Sequence, residues 1–102
     1  MQPFIAEKKE QIAELCRTHH VRRLAVFGSA LGERFNEETS DVDVLVEFSE
    51  VPVALYSKNK WELYDGLVAI LGRKVDLVTW KYIKNPYFKK EVEQSHEMLY
   101  AA

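Results

Sequence analysis

Apolar residues recur at helical spacing over residues 4–20. Phe4, Ile5, Ile12, Leu15 and Cys16 share one face, and Glu7, Lys8, Lys9, Glu10, Glu14 and Arg17 fill the other. Pro3 stands where a first helical turn tolerates it. Thr18, His19 and His20 end this helix, where histidines suit the dipole. As adjacent residues the two histidines point apart, which argues against a shared metal. The pattern then changes to alternation. Residues 22–27 predict a strand, with Leu24 and Val26 on one face and Arg23 and Ala25 on the other. Gly28 stops it, Ala30 and Leu31 fit one helical turn, and residues 32–39 read as a polar loop. Residues 41–48 predict a second strand. Val42, Val44 and Val46 share one face, and Asp41, Asp43, Leu45 and Glu47 share the other. Leu45 on the acidic face implies that this face is partly covered.

Residues 49–57 contain Pro52 and little periodicity, and read as a connection. Residues 58–71 predict a broad amphipathic helix. Trp61, Leu63, Tyr64, Leu67, Val68, Ile70 and Leu71 supply its apolar face, and Gly72 stands at the stop. Periodicity assigns Trp61 and Tyr64 to the core rather than to stacking on a base. Residues 74–79 predict a third strand and residues 80–85 a turn. Pro86 opens a last helix through about Ser95. Met98, Leu99 and Tyr100 either extend that helix or form a fourth strand. The order α-β-β-α-β-α predicts one mixed α/β (α+β) domain over residues 1–102, with helices flanking a small sheet of three to four strands.

Composition narrows the function classes. The chain has 102 residues, 47% of them hydrophobic, enough for a core without disulfides. A net charge of −2 argues against an obligate nucleic-acid binder. Cys16 is the one cysteine and reads as a buried thiol in a reducing compartment. No apolar run approaches a membrane span, and the N-terminus lacks a signal-peptide pattern. These features together predict a soluble cytoplasmic protein.

The candidate chemistry lies in three short segments. A strand ending at Gly28-Ser29 lets a phosphate approach the backbone, with N–H groups and a hydroxyl as donors. Alone this is also an ordinary turn. Asp41 and Asp43 stand at i and i+2, on one strand face and about 7 Å apart. Two bare carboxylates there repel, and Mg²⁺ with substrate phosphate resolves the conflict; a solvated pair is the simpler alternative. Asp76 interrupts the apolar run from Val75 to Val78. It either faces water at a sheet edge or stands on a strand beside the Asp41–Asp43 pair. Three carboxylates together hold two metals, or one metal and a base for an incoming hydroxyl.

The combination resembles the DNA polymerase β-like nucleotidyltransferase superfamily, and in particular its minimal nucleotidyltransferase branch, typified by antitoxin partners of HEPN-domain toxins. The segments that carry the resemblance are Phe27-Gly28-Ser29-Ala30, Ser40-Asp41-Val42-Asp43 and the strand through Glu47-Phe48, and Leu71-Gly72 through Thr79. It runs from the first helix to Leu99-Tyr100. Eleven residues separate Ser29 from Asp41, one more than the commonest form of the motif, and Ala30-Leu31-Gly32 stands where many relatives have Ala-Arg-Gly. Arg34 is the candidate replacement for that arginine.

The resemblance implies triphosphate binding at Gly28 and Ser29 and Mg²⁺ binding, of two ions, at Asp41 and Asp43. It gives Asp76 a metal-ligand or base role. It further implies ATP as donor and transfer of AMP to a hydroxyl, a tyrosine near the RNase site of a HEPN toxin. The chain has no room for the helical acceptor domain of larger members, so the acceptor comes from another protein, or the site is shared across a homo-oligomer. The alternative is a non-catalytic antitoxin that neutralises its partner by contact. Four intact site residues favour the enzyme, and a small-molecule nucleotidyltransferase is disfavoured by the missing second domain. Lys58, Lys60, Arg73 and Lys74 are candidates for phosphate or partner contacts, and Phe88, Met98 and Tyr100 for a partner interface if exposed.

Overall fold

The computed structural model describes residues 1–31 and 41–102. The predicted polar loop over residues 32–39, with Arg34, and Ser40 at the head of the acidic motif lie outside the described residues. Helix α1 spans Pro3–Ala6, α2 Lys9–Thr18, α3 Val53–Leu71 and α4 Pro86–Gln94. Strands are β1 (Val21–Phe27), β2 (Val42–Phe48), β3 (Val75–Thr79) and β4 (His96–Ala101). One 3₁₀ turn follows β1 at Gly28–Leu31, and another follows β3 at Trp80–Tyr82. The sheet order is β3-β2-β1-β4, antiparallel except for the β2–β3 pair. The mixed α/β class holds, with four strands. No helix among the described residues is long and apolar enough to cross a membrane.

Alternation on β2 divides the sheet into two unlike faces. Val42, Val44 and Val46 are fully buried, with Leu24 and Val26 of β1 beside them in register. Leu63, Leu67 and Leu71 of α3 and Ile12 and Cys16 of α2 belong to the same cluster. Burying each such aliphatic side chain stabilises the fold by about 1.5–3 kcal/mol relative to exposure. The other face carries Asp43, Leu45 and Glu47, all half-buried. Phe88 of α4 meets Phe27 edge-on at 5.9 Å, so this face is covered in part, as Leu45 implied.

Three sequence expectations are corrected. The single helix over residues 4–20 is broken at Glu7-Lys8, because Gln2 N–H donates to the Ala30 carbonyl at 3.2 Å and Arg73 lies 4.0 Å over the Phe4 ring. These contacts hold the first turn away from the path of α2. The connection over residues 49–57 is shorter than expected: α3 begins at Val53, directly after Pro52 in extended conformation. Trp61 is not in the core but 65% exposed. The buried stripe of α3 is Asn59, Leu63, Leu67 and Leu71, spaced by four. Trp61 is two residues off that stripe, about 200° around the helix. Tyr64, one residue off it, is half-buried against the core. Of the two readings open for Met98, Leu99 and Tyr100, the strand holds: they belong to β4, of which Leu99 alone is buried.

The ends of α2 and α3 are closed by specific groups. His19 Nδ1 stands 2.8 Å from the Leu15 carbonyl, and Asn59 Nδ2 donates to the His19 carbonyl at 2.8 Å. His19 thus serves the helix end. Gly72 closes α3 at φ +68°, its N–H bonded to the Val68 carbonyl. Burial pushes the Cys16 thiol up to about 12, against a smaller opposing pull from Arg17. Cys16 is therefore expected to resist a thiol-specific disulfide reagent at pH 8 in the folded protein and to react fully in denaturant. Equal rates in both states would contradict its burial.

Candidate active site

The site assembles where β1 ends and β2 begins. Phe27, the last residue of β1, is paired with Asp43, so the turn that follows passes directly beside that carboxylate. Gly28 has φ +66°, a region that favours glycine. Space demands glycine as well, because a Cβ there would run into Asp43 Oδ2. Ser29 follows, half-buried in the 3₁₀ turn, and Ala30 anchors the turn by complete burial. The glycine-serine turn and the aspartate strand, separate in sequence, are thus one structural unit.

Asp43 is also paired across the parallel ladder with Asp76 of β3. Both readings of Asp76 are correct at once: β3 is an edge strand, Asp76 is exposed, and its strand neighbours the second one. Asp41, just before β2, is exposed. Burial, then Asp76, then Asp41 raise the Asp43 carboxyl above the ordinary aspartate range. The three carboxylates therefore stand close enough to repel, and none forms an ion pair among the described residues. No three His, Cys, Asp or Glu side chains among the described residues close into a ready-made cation cage. The arrangement is instead an in-register pair, Asp43 and Asp76, with Asp41 at the strand's head. Hard oxygen donors with uncompensated charge, open on one side, suit Mg²⁺ together with substrate phosphate.

A neighbouring feature escaped the sequence reading. A cleft of about 450 Å³ runs beside Asp76, walled by Tyr56, Lys60, Trp61 and Tyr64 of α3 and by Val75 and Leu77 of β3. Trp61 and Tyr64 meet edge-on at 5.6 Å. No local signal marked it, because α3 is apolar on several sides and packing decides which stripe meets the sheet.

Comparison with known proteins agrees with this geometry. Residues 8–99 match the family model described as the nucleotidyltransferase domain. A protein of Methanocaldococcus jannaschii, provisionally named a protein adenylyltransferase, is 43% identical over 93 residues, covering 82% of this chain and 90% of its own length. A solved structure provisionally described as a minimal nucleotidyltransferase superposes with a TM-score of 0.74 at 29% identity, over 90% of this chain and 89% of that one. A structure of a tri-AMPylated Shewanella oneidensis HEPN toxin in complex with its MNT antitoxin shares the fold, with a TM-score of 0.65 at 21% identity, over 96% of this chain and 73% of that one. A glycine turn packed on an aspartate strand, with a third aspartate in register beside it, is thus found in a chain whose family is established over nearly its whole length: it belongs to the nucleotidyltransferase domain family.

Proposed function

We propose that this protein is a Mg²⁺-dependent adenylyltransferase that moves AMP from ATP to a hydroxyl, a tyrosine, of a partner HEPN toxin and thereby acts as its antitoxin. The observation that carries the reading is the convergence of Gly28, Asp43 and Asp76 through strand register. The relative named a protein adenylyltransferase and the AMPylated HEPN toxin support the choice of group and acceptor.

Each residue has a role in that reaction. The Gly28 turn offers backbone N–H groups, and Ser29 a hydroxyl, to the triphosphate oxygens. Asp41 and Asp43, with Asp76 completing the set, would hold the metal. When bound, Mg²⁺, in two ions, supplies charge neutralisation at the triphosphate and at the attacking and leaving oxygens. Asp76, outermost of the three, accepts the proton of the incoming hydroxyl. The acceptor oxygen bonds to the α-phosphorus in line, the bond from that phosphorus to the bridging oxygen breaks, and pyrophosphate leaves with the electron pair. The fold's contribution is mainly positioning, the effective part of phosphoryl-type transfer.

The test is mass spectrometry of a HEPN-domain protein from the same organism, after incubation with ATP, Mg²⁺ and this protein. A gain of AMP on a tyrosine, together with loss of toxicity, is expected. Loss of toxicity with an unmodified partner would favour inhibition by contact alone.

A further inference from the structure

The aromatic cleft beside Asp76 continues along the whole outer side of β3. A second cleft, about 590 Å³, is lined by Leu77, Thr79, Tyr82 and Lys84, and shares Lys60 and Leu77 with the first. The two form one groove against a strand that, among the described residues, has a partner on one side only, β2. The Lys74 carbonyl accepts from Val42 N–H at 3.0 Å, so the ladder turns Lys74, Asp76 and Val78 toward β2. By the alternation of a parallel ladder, Val75, Leu77 and Thr79 aim their N–H and C=O groups into the groove. Such an edge is normally short, charged, bulged or covered. Val75–Thr79 holds no lysine and no proline, and its one charge, Asp76, belongs to the candidate site.

We propose that this groove is the acceptor-docking site: an extended, acidic, hydroxyl-bearing segment of the partner protein adds to β3 as a further strand. The inference rests on the transferase reading and says where the acceptor enters. Two observations select that occupant. First, the groove begins at Asp76, so a strand laid along β3 carries its side chains to the rim of the carboxylate trio. Its five-residue edge spans about 16 Å, enough for a strand of matching length. Second, Lys60 and Lys84 line it and form no ion pair among the described residues, in a chain of net charge −2. That suits an acidic segment. Recognition of this form draws affinity from main-chain hydrogen bonds and specificity from pockets for alternate side chains, here the Trp61–Tyr64 corner.

The experiment uses the full chain and a purified, unmodified HEPN-domain protein from the same organism. Amide hydrogen exchange is followed at Val75, Leu77 and Thr79, with and without that protein. Acceptor and ATP KM values are measured for wild type, Trp61→Ala and Lys60→Glu. Trp61 is exposed and Lys60 partly exposed on α3, and circular dichroism checks the fold of both variants. The expected result is slowed exchange at all three amides, and an acceptor KM raised about tenfold or more at unchanged ATP KM. AMP transfer with unprotected amides and unchanged acceptor KM would overturn the groove while leaving the transferase intact. Protected amides without any AMP transfer would uphold the groove and remove the transferase reading. A dimer of this chain alone that protects the same amides, and that Trp61→Ala dissolves, would assign the edge to a second copy and overturn the proposal.

Discussion

Asp43→Asn is expected to abolish AMP transfer and, in the metal-free protein at neutral pH, to raise the melting temperature. The two effects have one cause. Asp43 is half-buried, directly opposite Asp76 in the ladder, with Asp41 two residues before it. Like charges facing each other across strands cost about 0.2–1 kcal/mol, which the neutral amide removes. In a domain of this size that is a gain of up to several degrees. Transfer needs the same charge. Losing one carboxylate of the set proposed to hold the divalent ion should forfeit several kcal/mol of transition-state stabilisation. At about 1.4 kcal/mol per decade, the rate falls by a hundredfold or more.

The pH dependence follows in sign. The folded-state pKa of Asp43 is raised, so below the unfolded value near 3.8 both states hold the proton. Between the unfolded and folded values the folded state binds it more tightly, and stability declines as pH rises through that window. Metal-free wild type should show this decline, superimposed on other titrations, and Asp43→Asn should lack it. Thermal melts with and without Mg²⁺ add a control. Mg²⁺ should stabilise wild type by mass action and leave the variant much less affected. A variant that melts lower than wild type, or transfers AMP at the wild-type rate, would contradict the role given to Asp43.

Gly28→Ala is the second large effect, with Gly72→Ala as its control. Both glycines have positive φ, +66° and +68°. Alanine in that conformation costs about 1 kcal/mol at either place. The surroundings differ. At Gly72 a Cβ meets nothing within 4 Å, whereas at Gly28 it would run into Asp43 Oδ2. Gly72→Ala should therefore lower the melting temperature by several degrees and keep full activity. Gly28→Ala should lose at least as much stability. It should also reduce transfer a hundredfold or more, by displacing the carboxylate and the phosphate-facing backbone together. Equal activity in the two variants would separate the turn from the site.

The strongest local signals in the chain proved to be those with a backbone reason. Gly72 stops α3, and the Asn85 side chain accepts from the Tyr87 and Phe88 amides to start α4 at Pro86. The Asp41–Asp43 spacing places both on the sheet face opposite the valine core, because strand alternation is local. Asp76 was legible as an anomaly in an apolar strand, but its pairing with Asp43 is a matter of register, which tertiary packing decides. The break before Lys9 and the exposure of Trp61 were hidden for the same reason. The first follows from contacts to Ala30 and Arg73, far off in sequence. The second depends on which α3 stripe meets the sheet, and a helix rich in apolar residues on several sides leaves that choice open. The fourth strand was ambiguous because three apolar residues fit either periodicity.

The central claim, that this site transfers the α-phosphoryl group with its nucleoside, is tested most directly with two labels. ATP carrying radiolabel at the α-phosphate, and separately at the γ-phosphate, is incubated with Mg²⁺, a HEPN-domain protein from the same organism, and either wild type or Asp41→Asn/Asp43→Asn. Label on the partner from α-labelled ATP alone, with wild type alone, is the predicted result. Label from γ-labelled ATP would make the reaction a phosphorylation, and undiminished labelling by the double variant would place the chemistry elsewhere than at Asp41 and Asp43.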